Sequence, residues 1–159
     1  SADSRWKELD TQVHDVLTRA IEMTSDPAVL SEAYSLATWL HPDIQISAAR
    51  KALRITKVPT STMYSNLAQS LYYSTDVHGG EWMDPGTAKT SRPWSAAARA
   101  VMLSHAADDM MLLGHIQRQA EKLRDAYRNY LAASIGEHAG TVHAATAAQP
   151  AFQTFASSS

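Results

Sequence analysis

Apolar residues recur along the first part of the chain at steps of three and four. Trp6, Leu9, Val13, Val16, Leu17, Ala20 and Ile21 fall on one stripe of a 3.6-residue helix that starts near Asp3 or Ser4 and ends before Ser25. Asp26 and Pro27 form a cap and a first-turn proline for a second helix, which turns Val29, Leu30, Ala33, Tyr34, Ala37 and Leu40 inward. After His41-Pro42-Asp43 a third helix runs from about Ile44 to Ile55. Pro59 and Thr60-Ser61-Thr62 open a fourth, with Met63, Leu67 and Leu71 as its ridge. Ser91 and Pro93 begin a last helix whose pattern continues toward Ser134. Within it Leu113, Ile116, Ala120, Leu123, Tyr127 and Tyr130 form a coiled-coil-like seam. The upstream stripe of Trp94, Ala98, Val101 and Met102 is out of register with that seam, which predicts a kink or a change of packing partner around Asp108, Asp109 and Gly114.

These elements predict an all-α five-helix bundle with a long final helix, one long inter-helix loop (about 74–92) and an extended C-terminal tail. The expected organisation is a helical bundle domain over 1–136 and a low-complexity tail over 137–159, ordered by a neighbouring subunit.

Composition sharpens this picture. At 159 residues the chain is long enough to bury a core, and its many alanines favour closely packed helices. It has no cysteine, which excludes disulfide scaffolds, thiolate metal sites and Cys nucleophiles. No membrane-length apolar run and no signal-like apolar segment is visible, so the expected setting is cytoplasmic or within a virion, without membrane contact. The net charge of −2 conceals a segregated layout. Residues 1–43 carry Asp3, Glu8, Asp10, Asp15, Glu22, Asp26, Glu32 and Asp43 against Arg5, Lys7 and Arg19. Arg50, Lys51, Arg54 and Lys57 then stand in an acid-free stretch, and Lys89, Arg92 and Arg99 in another. Arg50, Arg54 and Lys57 are spaced i, i+4 and i+7 on one helix face. Together these seven cations are the expected contacts to an RNA or DNA backbone, without sequence specificity.

Three motif readings compete. Ala48, Ala49, Leu53 and Ile55, followed by Thr62, Met63, Tyr64 and Leu67, resemble the helix-turn-helix pattern of bacterial DNA-binding domains. The resemblance covers about twenty residues and implies a DNA-binding or DNA-packaging protein that reads bases through Ser61, Ser65, Asn66 and Gln69. It departs from the pattern at Arg54, where a Gly is usual, and the would-be reading helix contains no Lys or Arg. Asp10 with His14, and His105 with Asp109, each sit one helical turn apart, which supports a second alternative, a helical-bundle metal protein or enzyme. No nucleophile elbow, phosphate loop or dinucleotide fingerprint is present.

The third and leading expectation comes from the loop "HGGEWMDPGTAKTSRPW" and the chargeless tail. A loop of this length in a compact domain is usually functional or disordered, and disorder alone does not call for tryptophan. Trp82, Met83, Trp94, Phe152 and Phe155 are therefore expected at a subunit interface. The chain is read as a self-assembling structural subunit of viral coat or nucleocapsid type, non-enzymatic and without metal or cofactor. Its partners are copies of itself in a homo-oligomer or filament.

Overall fold

The computed structural model describes residues 1–37, 40–73, 92–135, 150–154 and 156–157. The described residues are helical and contain no strand. They form α1 (Ala2–Met23), α2 (Pro27–Ala37), α3 (Pro42–Ile55), α4 (Ser61–Tyr73), α5 (Arg92–Ser104), α6 (Ala107–Gln119) and α7 (Leu123–Ser134), with a further helical turn at 150–154. The all-α class agrees with the sequence pattern. The count of five helices does not, chiefly because the expected long final helix is three: α5, α6 and α7.

Both breaks occur at residues that adopt a left-handed backbone without being glycine, His105 at φ 51° and Glu121 at φ 59°. At the first, the Ser104 hydroxyl donates to the Asp109 carboxylate at 2.5 Å and accepts from the Ala106 N–H at 3.0 Å. A side chain thus ties the end of one helix to the start of the next. At the second, the Lys122 N–H reaches the Gln117 carbonyl (2.8 Å) and the Glu121 N–H the Arg118 carbonyl (3.0 Å). This is the six-to-one and five-to-two pairing of a Schellman ending, with Glu121 where glycine is usual.

Contacts divide the chain into two compact units, Ser1–Pro59 and Thr60–Ser159, where the sequence reads as one bundle. In the first, α2 and α3 pack on each other and α1 lies against both. Its core is Leu17, Ile21, Leu30, Ala33, Ala37, Ile44, Ala48 and Ala52, with Tyr34 and Ile55 at the margin. The connections follow local chemistry: Asp26 accepts from the Ala28 N–H at 2.9 Å, and Pro27 starts α2.

In the second unit α4 packs on α5, and α6 on α7 and α5. The Thr60 hydroxyl accepts from the Met63 N–H at 3.3 Å and starts α4. Ala68, Trp94, Ala96, Ala97, Leu112, Leu113, Ile116 and Ala120 make one core cluster, and Ala126, Tyr130 and Ala151 another. Tyr130 is fully buried, and its hydroxyl lies 2.6 Å from His115 Nδ1. Burial pushes the Tyr130 phenol up to about 12, while burial and the nearby Arg118 charge pull His115 below its ordinary value. The phenol therefore donates to a neutral imidazole, which satisfies both polar groups inside the unit.

Gly114 makes this arrangement possible. A Cβ there would come within 2.8 Å of the Tyr130 ring. Although Ala is the better helix former by about 1 kcal/mol, the ring is enclosed and cannot give way, and overpacking costs more. Gly114→Ala is expected to destabilise the protein by a net of up to about 2 kcal/mol. Urea denaturation checks this, and an unchanged or raised midpoint contradicts the packing described.

Candidate functional site

The α1 helix departs most from its expected packing. Only Leu17 and Ile21 of its apolar stripe are buried. Trp6 is 71% exposed, Leu9 47%, Val13 46% and Val16 64%, and Met23 continues the row at 84%. Two adjoining faces explain this. Positions 10, 14, 17 and 21 face α2 and α3, whereas positions 6, 9, 13, 16, 20 and 23 lie on the next face around the helix. That second row steps 3-4-3-4-3, the spacing of a coiled-coil seam over about 26 Å of helix. A shallow groove beside it is lined by Arg5, Trp6, Glu8, Leu9 and Gln12. Further apolar exposure in the same unit comes from Leu36 and Leu40.

The two immediate edges of the row differ in charge, with Glu8 of the groove lying just beyond the basic one. In heptad terms Arg5, Gln12 and Arg19 border one edge, and Asp3 and Asp10 the other, followed by the buried Leu17. One side is therefore basic and the other acidic along the N-terminal half of the helix.

The expected backbone-binding cations have different surroundings. Arg54 and Lys57 are exposed in the first unit, and Arg50 is half-buried. Lys51 is engaged locally. Its Nζ donates to the Ile21 carbonyl at 2.5 Å and the Glu22 carbonyl at 3.0 Å, placing a cation at the C-terminal end of α1. Arg99, in the second unit, is exposed; its guanidinium lies 5.7 Å from the Tyr64 ring centroid and donates to the Tyr64 hydroxyl at 3.5 Å. Lys89 and the Arg92 side chain lie outside the described residues.

Of the expected interface residues, Trp94 is buried in the core of the second unit beside Ala68 and Leu112, so its surface is committed to folding. Phe152 is 71% exposed, while its neighbours Ala151 and Thr154 are buried in that unit. Trp82, Met83 and Phe155 lie outside the described residues, as do most of the long loop and most of the tail. The two helices of the helix-turn-helix-like segment fall in separate compact units, and each has its own packing partners: α3 with α1 and α2, α4 with α5 and α6. Of the four base-reading positions named above, only Gln69 is exposed.

The histidine pairs are rearranged as well. Asp10 and His14 belong to the first unit and His105 and Asp109 to the second, and Asp109 is engaged by Ser104. The residues that meet Asp10 and His14 are instead His41 and Asp43, at the start of α3. His14 Nε2 lies 2.6 Å from Asp43 Oδ2, and His41 Nε2 2.8 Å from Asp10 Oδ1. The two imidazoles meet edge to face at 5.3 Å. Partial burial works against the Asp43 carboxylate, but the hydrogen bond and charge of His14, with the backbone N–H groups of Ile44 and Asp43, outweigh it and hold Asp43 below the usual carboxylate range. Spacing along the sequence pairs Asp10 with His14 but gives no signal for His41 and Asp43, which stand at the N-cap and in the first turn of α3.

Among the described residues no helix is long and apolar enough to cross a membrane. No protein-family model matches the chain, nor does any characterised protein or solved structure at a significant level.

Lys51→Met keeps the aliphatic stem and removes the two bonds to the α1 carbonyls. The expected result is a loss of about 1–2 kcal/mol in stability, since hydrogen bonds from charged groups are among the stronger ones. Thermal unfolding followed by circular dichroism checks it. An unchanged midpoint would return Lys51 to the pool of unengaged surface cations.

Proposed function

We propose that this chain is a self-assembling structural subunit whose copies associate through the outward apolar row of α1. The carrying observation is that row: Trp6, Leu9, Val13, Val16 and Met23 stand exposed at seam spacing on a helix already folded into its unit. Monomers seldom leave a contiguous apolar face of this kind uncovered. Val13 at an a position beside Leu9 at d is the combination that suits a two-stranded seam.

Charge chooses the orientation. In a parallel pair, Arg5 on the basic edge of one helix meets Asp10 on the acidic edge of the other, and the same contact repeats across the two-fold axis. An antiparallel pair would place basic edge beside basic edge and acidic beside acidic, and would lose the Arg5–Asp10 contacts. The association is accordingly a parallel, in-register pair.

The finer reading is a coat or nucleocapsid-type protein that contacts a nucleic-acid backbone without sequence preference. It is supported by the exposure of Arg54, Lys57 and Arg99, whose charges are not consumed by salt bridges among those described. Its role in such a particle is structural and not catalytic.

Size-exclusion chromatography with light scattering over a concentration series tests the association. The native chain is expected to reach at least a dimer with a melting temperature that rises with concentration, and Val13→Glu/Val16→Glu to run as a monomer of unchanged helicity whose melting temperature does not. A native chain that stays monomeric at its highest concentration overturns the proposal, as does a double variant that keeps the native mass. The absorbance ratio at 260 and 280 nm on the same column tests the finer reading. Retained nucleic acid should fall in Arg54→Ala/Lys57→Ala, and a native protein that carries none contradicts the backbone contact.

A further inference from the structure

We infer that Asp10, His14, His41 and Asp43 form a binding site for a divalent first-row transition metal, with zinc as its natural probe. One ligand atom from each of His14, His41 and Asp43 lies within 4.8 Å of the others. Asp10 joins them through its 2.8 Å contact with His41 Nε2. A tetrahedral zinc ion with bonds of about 2.0–2.1 Å holds its donors about 3.3 Å apart. Donors within 4.8 Å of one another need to close by about 1.5 Å or less to reach that spacing.

The donor chemistry narrows the guest. Two imidazoles with carboxylates and no thiolate suit zinc, cobalt, nickel or copper better than magnesium or calcium, which prefer all-oxygen sites. The two carboxylates supply two negative charges to a dication. In the cluster as it stands, each N–O contact shares a proton between imidazole and carboxylate. A metal ion takes the place of such a proton, so binding releases protons to solvent and weakens as pH falls. The side chains of Asp10 and Asp43 are 56% and 57% exposed, while that of His41 is 11% exposed. The site is thus anchored from below and open to water on the carboxylate side, leaving room for a solvent ligand.

The bland reading of the same residues is a pair of surface His–Asp hydrogen bonds. Two features favour a metal site. Ligand atoms of His14, His41 and Asp43 lie within 4.8 Å of one another, so the two His–Asp pairs meet at His41 and are not independent. The imidazoles also face each other edge on at 5.3 Å, a spacing that a bridging cation accommodates.

The test uses the full chain without any affinity tag, stripped with chelator and titrated with zinc chloride by calorimetry. One zinc per chain is expected. His14→Ala and His41→Ala should each weaken binding by at least about tenfold, whereas His105→Ala should leave stoichiometry and affinity unchanged. Should a variant fail to fold, histidine side-chain NMR of the native protein decides the matter. Of the seven histidines, only two should shift at one equivalent of zinc, and they should be His14 and His41. No zinc uptake at micromolar concentration overturns the inference, as does binding that survives loss of both imidazoles or shifts confined to other histidines. The apolar row of α1 is untouched by these substitutions, so failure here leaves the self-association reading standing.

Discussion

A single helix with apolar side chains on two adjoining faces sets the terms for this molecule. The α1 helix uses one face, Leu17 and Ile21, to close the core of its unit against α2 and α3. The other face, from Trp6 to Met23, has no cover within the described residues of that unit. Apolar surface held in water is costly, and burying it is the dominant favourable term in association. Helix propensity and capping explain why α1 forms. They do not explain why natural chemistry would place a tryptophan, a leucine and two valines in a row facing solvent. The proposed pairing with a second copy of the same helix would cover that row, and its basic and acidic edges would give the copy a direction.

The first unit therefore combines two uses of one helix. Its C-terminal half is fixed by core packing and by Lys51, which ties the last carbonyls of α1 to α3. Its N-terminal half is held to α3 by the His–Asp cluster at Asp10, His14, His41 and Asp43. Both attachments lie to one side of the apolar row and leave it open. The second unit is organised differently. Two polar pairs are satisfied in its interior, Tyr130 with His115 and Asn129 with Gln117, the latter at 2.6 Å.

Much of this was legible in the residues. Caps at Asp26 and Thr60 mark the starts of α2 and α4, and the register change near Asp108 and Asp109 marks a real interruption. The periodicity of α1 correctly identifies a helix with apolar faces, but periodicity reports that a face is apolar and not what covers it. The break at Glu121, and the left-handed backbone at His105 and Glu121, were hidden for a different reason. Left-handed backbone is ordinarily announced by glycine, and here it is imposed on a histidine and a glutamate by the hydrogen bonds around them. Trp94 misled because a large aromatic beside a long loop looks like an interface anchor, yet surrounding alanines on α4 and α5 make room for it inside the core. The His–Asp cluster required knowledge of which helix returns to α1, and one-turn spacing along a single helix carries no such information.

Direction of pairing is the claim most open to a decisive measurement, and the absence of cysteine makes the chain well suited to it. A single Leu9→Cys substitution places one thiol in the row. In a parallel, in-register pair it faces its own counterpart within the roughly 7 Å Cα separation that a disulfide tolerates. In an antiparallel pair centred on the row, the two thiols would stand about 16 Å apart along the helices. Under mild oxidation the account predicts rapid conversion to a covalent dimer, while Thr11→Cys on the opposite side of α1 remains monomeric. A Leu9→Cys protein that cross-links no faster than Thr11→Cys would contradict it.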